Sequence, residues 1–89
     1  MWNFNNVKTV TYRGEWVLHI EFDDGLAGDL NLVEYPDKGP VFRPLQDKDF
    51  FRSARVENGT VTWPNGADIA PETLYAKLEA ANKSLQPTA

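Results

Sequence analysis

Trp63-Pro64-Asn65-Gly66-Ala67-Asp68-Ile69-Ala70-Pro71-Glu72-Thr73-Leu74-Tyr75 is the stretch around which the chain is organised. It reads as a strand end, a turn and a helix start in immediate succession. Trp63 is large and apolar enough to anchor a core. Pro64 lacks a backbone donor and cannot continue a central strand. Asn65 and Gly66 both tolerate positive φ and form a turn pair. Pro71 suits the first position of a helix, where a missing N–H goes unnoticed. Leu74, Tyr75 and Leu78 then recur at helical spacing. Asp68 and Glu72, four residues apart, are expected at the helix start, where the dipole and capping favour carboxylates. The expected result is Trp63 held beneath a terminal helix.

Working backwards, Asn58-Gly59 is a strong hairpin signal. A two-residue loop pairs Glu57 with Thr60, Val56 with Val61, Arg55 with Thr62 and Ala54 with Trp63. Ala54, Val56, Val61 and Trp63 then share one face, and Arg55, Glu57, Thr60 and Thr62 the other. Further upstream, Trp16, Leu18, Ile20 and Phe22 alternate with Val17, His19 and Glu21, the pattern of a half-buried strand. Asp23-Asp24-Gly25 closes its hairpin. A two-residue loop would set Ile20 opposite Asp29. A three-residue loop with left-handed Gly25 pairs Phe22 with Leu26, Ile20 with Gly28, Leu18 with Leu30 and Trp16 with Leu32, so the three-residue loop is predicted. Val7–Tyr12 is a first strand whose core face is ambiguous, since Val10 and Tyr12 point one way and Val7 the other.

Between the hairpins, residues 33–40 carry two prolines and a glycine and read as a loop. Val41-Phe42 is a short apolar anchor resembling an isolated bridge. Pro44–Ser53 is a short helix with Asp47 as N-cap and one of Phe50 or Phe51 partly exposed. The last helix is expected over about Pro71–Ala81, with Asn82-Lys83 ending it. The prediction is an α+β domain over residues 1–82. It has one antiparallel sheet of about five strands, made of two hairpins plus the first strand, packed with two helices. Residues 83–89 form a flexible tail.

The 89 residues make one domain with a net charge of −4. A chain this short buries roughly 60–65% of its extended surface, so its margin is thin. There is no cysteine, so no disulfide or thiol chemistry. No apolar run approaches the ~20 residues needed to span a bilayer, and Met1–Asn6 lacks the character of a signal peptide. The expected location is the cytoplasm. The basic residues are scattered, against direct nucleic-acid binding.

His19 is the one histidine, on the mixed face of the clearest strand. Without cysteine it assembles no typical zinc site, and a half-exposed strand or interface residue explains it more simply than a catalytic base. Asp23, Asp24 and Asp29 lack calcium-loop spacing. Phosphate-loop and nucleophile-elbow motifs are missing, and no cofactor or metal is implied. Three Trp, three Tyr and five Phe are a generous load for so small a body. Either they form a tight core or some cover an interface. Candidate interface or pocket residues are Trp2, Phe4, Trp16, His19, Trp63, Asp68 and Tyr75.

Phe22-Asp23-Asp24-Gly25, Val41-Phe42-Arg43-Pro44-Leu45, Phe50-Phe51 and the segment from Trp63 to Tyr75 together resemble a bacterial family of small proteins known as a domain of unknown function. The resemblance spans residues 7–78. It implies a small α+β domain with an antiparallel sheet, of the kind that longer relatives carry before a C-terminal helix-turn-helix. It also implies a gene beside that of a second small protein, hence a toxin–antitoxin-like pair, and no catalytic residues to carry over. The tail from Asn82 to Ala89 is similar to the ends of proteins encoded by integron cassettes.

Three functions follow in order of preference. The first is a self-associating protein-interaction module, dimeric or tetrameric, with a small basic protein as a possible partner suited to its acidity. The second is a small-ligand-binding protein with a pocket lined by Trp16, Trp63 and Tyr75. The last is a small enzyme using Asp68, Glu72 or His19.

Overall fold

In the computed structural model, residues 6–85 are described. Trp2 and Phe4 lie outside them. Six strands run in the order β1 (Val7–Gly14), β2 (Val17–Phe22), β3 (Ala27–Asn31), β4 (Arg55–Glu57), β5 (Thr60–Thr62) and β6 (Asp68–Ile69). Helix α1 is Lys48–Phe51 and helix α2 is Pro71–Leu85. The α+β class is as predicted, but the single sheet is not. There are two three-stranded antiparallel sheets, β1-β2-β3 and β4-β5-β6. The second hairpin does not join the first sheet as two further strands; it takes β6 as its third strand, on the side of β5 away from β4. A backbone hydrogen bond from the Val7 N–H to the Gly59 carbonyl, at 2.9 Å, links the two sheets.

The first sheet follows the predicted register. Leu18 faces Leu30 and Ile20 faces Gly28. The Phe22 N–H reaches the Leu26 carbonyl at 2.8 Å, and the Leu32 N–H reaches the Trp16 carbonyl at 2.7 Å. The ambiguity of β1 has a simple cause. Val7 pairs with Phe22 and Thr9 with Glu21, so Lys8 is an extra residue. That bulge shifts the alternation by one, which puts Val7 on the same face as Val10 and Tyr12.

The second hairpin also keeps its predicted register, with Asn58 at φ 54 and Gly59 at φ 77. Its third strand is the part the sequence hides. Trp63-Pro64-Asn65-Gly66-Ala67 is a hairpin loop rather than a strand-to-helix corner, and Asp68-Ile69 returns along β5 with Ile69 opposite Val61 and Asp68 opposite Thr62. Asp68 therefore sits in a strand, not at a helix start. Two residues are too few to show a period of two. As the central strand of three, β5 is buried on both faces. The Thr60 hydroxyl donates to the Ile69 carbonyl, while Thr62 Oγ1 is buried without a hydrogen-bond partner among the described residues.

The expected loop over residues 33–40 holds a 3₁₀ turn at Tyr35–Asp37, and a second 3₁₀ helix starts at its end and runs over Pro40–Gln46. Prolines near the start of each set φ for such turns and give up donors that are unused there. Val41 and Phe42 lie in the second of these turns, not in a bridge. Of the predicted Pro44–Ser53 helix, only Lys48–Phe51 is α-helical. The Asp47 side chain caps it by accepting from the Asp49 N–H at 2.9 Å, and Phe51 is buried while Phe50 is half-buried. Helix α2 continues through Asn82 and Lys83 to Leu85. Neither residue is a strong stop.

One core joins both sheets and the helices. Trp63, Phe22, Phe51, Leu74 and Leu78 are all essentially inaccessible. The Trp63 indole N–H donates to the Phe51 carbonyl at 2.8 Å, and the two rings lie 5.9 Å apart. Trp63 is thus a buried anchor, and the neighbour it bonds is α1 rather than the terminal helix. On α2, Leu74 and Leu78 face inward, and Lys77 does not simply point to water, because its ammonium lies 5.6 Å from the Tyr35 ring centre.

Candidate functional site

The face of the first sheet that points away from the core carries its polar chemistry. Antiparallel register places Thr11, His19 and Asp29 side by side across β1, β2 and β3. His19 Nδ1 lies 2.8 Å from Asp29 Oδ1, and Arg13 Nε is 3.7 Å from the same oxygen. A carboxylate is an acceptor, so Nδ1 carries the hydrogen in this contact. The His19 side chain is 29% exposed and that of Asp29 56%. An imidazole held by a neighbouring carboxylate suits hydrogen-bonded recognition on a flat surface. Among the described residues, no group of three or more histidine, aspartate and glutamate side chains is placed to hold a metal ion.

The sequence does not single out Asp29 and Arg13 as partners of His19, although the signal was available. The register that pairs Ile20 with Gly28 also pairs His19 with Asp29, because adjacent rungs follow automatically in an antiparallel ladder.

The other candidates are distributed elsewhere. Trp63 is core. Trp16 packs half-buried at the sheet end, donating from its indole to the Leu45 carbonyl at 2.9 Å. The Lys48 ammonium sits 4.9 Å from its ring centre, paired with Glu15. That carboxylate holds the Lys48 pKa above the usual lysine value. Tyr75 stacks edge-on against Phe22 with centroids 4.9 Å apart, and its hydroxyl donates to Asp24. The three rings proposed to line one pocket therefore each have partners of their own. A shallow groove of about 490 Å³ lies instead among Pro40, Arg43, Pro44, Gln46 and Asp47. Asp68 and Glu72 are exposed, one on β6 and one in the first turn of α2.

The outer edge of β3 is equally relevant. The bonds from Phe22 to Leu26 and from Leu32 to Trp16 turn the backbone of the even-numbered residues toward β2. The N–H and C=O groups of Ala27, Asp29 and Asn31 therefore point outward. Among the described residues they have no backbone partner. Just past this edge, Val33 is 54% exposed. Its N–H donates to Asn31 Oδ1 at 2.9 Å.

Residues 7–80 match the family described as protein of unknown function, DUF2442. The chain belongs to that family. The match runs from the first residue of β1 well into α2, so it takes in both sheets, the His19 row and the edge of β3. No curated protein and no solved structure matches the chain.

Proposed function

We propose that this domain is a protein-interaction module that associates with itself through its first sheet. The observation that supports this most directly is the open outer edge of β3, a row of backbone donors and acceptors ready to pair with another chain. The uncovered face beside it, ordered by His19, Asp29 and Arg13, adds a polar surface of fixed shape. Light scattering across a concentration series tests it. A dimer or higher oligomer is expected, and a monomer at every concentration rejects it.

A second surface favours a small basic protein as a further partner, in keeping with a two-component, toxin–antitoxin-like pair. The Tyr75–Asp24 hydrogen bond draws the Asp23-Asp24 loop against the side of α2 that also carries Glu72 and Glu79, both exposed. Several carboxylates gathered there complement a cationic partner and would steer its approach. A cytoplasmic location and a mobile cassette gene would suit such an accessory role. Co-purification of a small basic protein, released by high salt, is the expected result, whereas capture that ignores salt removes this second partner.

A further inference from the structure

We infer that the self-association is a two-fold pairing of β3 with β3 of a second copy, centred on Leu30. This pairing joins two three-stranded sheets into one of six strands. It rests on the self-association reading above and specifies its geometry. Only the odd-numbered residues of β3 have outward backbone groups, so an antiparallel two-fold can be centred on just a few positions.

Centring on Asp29 would set that carboxylate directly opposite its own copy, an unfavourable cross-strand pair. Centring on Gly28 would leave Asn31 and Val33 beyond the paired region. Centring on Leu30 sets Asp29 opposite Asn31 of the second copy and Ala27 opposite Val33 of the second copy. Asp29 and Asn31 then exchange both of their outward N–H···O bonds, and the symmetry repeats the exchange.

The side chains fit the same register. Asn31 Oδ1 is occupied by the Val33 N–H, which leaves the Asn31 amide NH₂ as a donor. Asp29 Oδ1 is occupied by His19 and Arg13, which leaves Oδ2 as an acceptor. The donor of one copy thus meets the acceptor of the other. Among the described residues, Val33 is one of two large apolar side chains that are conspicuously exposed, and the pairing brings Ala27 of the second copy toward it. An edge carboxylate commonly discourages strand pairing. Here it is already tied to two basic groups of its own sheet, and it meets an amide rather than another charge.

The test uses the wild-type chain, Asn31→Asp, and the exchange variant Asp29→Asn/Asn31→Asp, measured by sedimentation equilibrium. Asn31→Asp keeps the oxygen that accepts from the Val33 N–H but sets carboxylate against carboxylate twice per dimer. It should weaken the dimer about ten-fold. The exchange variant restores acceptor against donor and should recover most of that loss. In the wild type, amide hydrogen exchange at Asp29 and Asn31 should slow as protein concentration rises, a readout that depends on no variant. A wild-type chain that stays monomeric overturns both this pairing and the self-association it rests on. A wild-type dimer with unchanged Asp29 and Asn31 exchange, an undiminished Asn31→Asp dimer, or no recovery in the exchange variant overturns the pairing alone.

Discussion

In the loop from Phe22 to Leu26, the Gly25 N–H donates to the Phe22 carbonyl at 3.0 Å, the Phe22 N–H donates to the Leu26 carbonyl at 2.8 Å, and the Leu26 N–H donates to Asp24 Oδ1 at 3.0 Å. In the loop from Trp63 to Ala67, the Gly66 N–H donates to the Trp63 carbonyl at 2.9 Å, the Trp63 N–H donates to the Ala67 carbonyl at 2.9 Å, and the Ala67 N–H donates to Asn65 Oδ1 at 3.0 Å. Gly25 has φ 94 and Gly66 φ 90. Both are three-residue hairpin loops with a left-handed glycine. They differ in the atom left over at the middle residue. Asp24 offers a second carboxylate oxygen, which accepts from the Tyr75 hydroxyl of α2. Asn65 offers an amide, which donates to the Val41 carbonyl at 2.9 Å. One backbone design, with acid or amide at one position, ties its hairpin to a side-chain hydroxyl in one sheet and to a main-chain carbonyl in the other.

The residue that opens each loop is the largest test of this parallel. Phe22 and Trp63 are both fully buried, so Phe22→Ala and Trp63→Ala should each destabilise by about 3–5 kcal/mol. Trp63 should lie at the upper end, because its loss also removes the indole hydrogen bond to the Phe51 carbonyl. Denaturant unfolding measures both, and a loss below about 1 kcal/mol for either ring would put that ring outside the core. Next come the glycines. A Cβ built at Gly25 or Gly66 meets nothing within 4 Å, so only backbone strain acts. Gly25→Ala and Gly66→Ala should each destabilise by about 1–2 kcal/mol and by nearly equal amounts. A clear inequality would break the equivalence of the two loops.

The two loops also differ in legibility. At Phe22 the strands on either side are long enough for alternation to declare itself, and side-chain sorting alone selects the three-residue loop. At Trp63 the same loop is masked twice. Pro64 argues for a strand end, and the returning strand is only Asp68-Ile69, which Pro71 then converts into a helix. Local chemistry could have located the loop, since Asn65-Gly66 in Trp63–Ala67 falls at the positions of Asp24-Gly25 in Phe22–Leu26. Nothing in a two-residue strand could show that it pairs. Burial of Trp63, Leu74 and Leu78 was legible because it needs only large apolar residues at the right spacing. The His19–Asp29 contact was legible in principle, as it follows from the register. The split into two sheets was not, because it depends on which neighbour claims each strand edge, and that is settled by tertiary packing.

At the middle position, Asn65→Asp should weaken the protein by about 1 kcal/mol near neutral pH. It removes the donor to the Val41 carbonyl and puts a carboxylate against that oxygen. Thermal unfolding of the variant checks this, and an unchanged midpoint would mean that the bond to Val41 contributes nothing.

The smallest effect is the reverse exchange, and it separates the loops by pH. The Tyr75 hydroxyl, and after it the Leu26 N–H, holds the Asp24 carboxyl below the usual aspartate value, against a weaker opposing effect of burial. A carboxyl whose pKa is lower folded than unfolded stabilises the fold above its unfolded value of about 3.9. That contribution fades as pH falls through the lower, folded value, because both states are then protonated. Asn65 has no such group, so the second loop should not respond in this range. Asp24→Asn keeps an oxygen for the Leu26 N–H but loses the charge that the Tyr75 hydroxyl stabilises. The wild type should therefore melt slightly higher than Asp24→Asn at about pH 6, and the gap between the two midpoints should shrink as pH falls below about 3.9. Tyr75→Phe should narrow the same gap, since it removes the main cause of the lowered pKa. Midpoints separated by a constant amount throughout the acid range would show that Asp24 acts through loop geometry alone, as Asn65 does, and that its charge is idle.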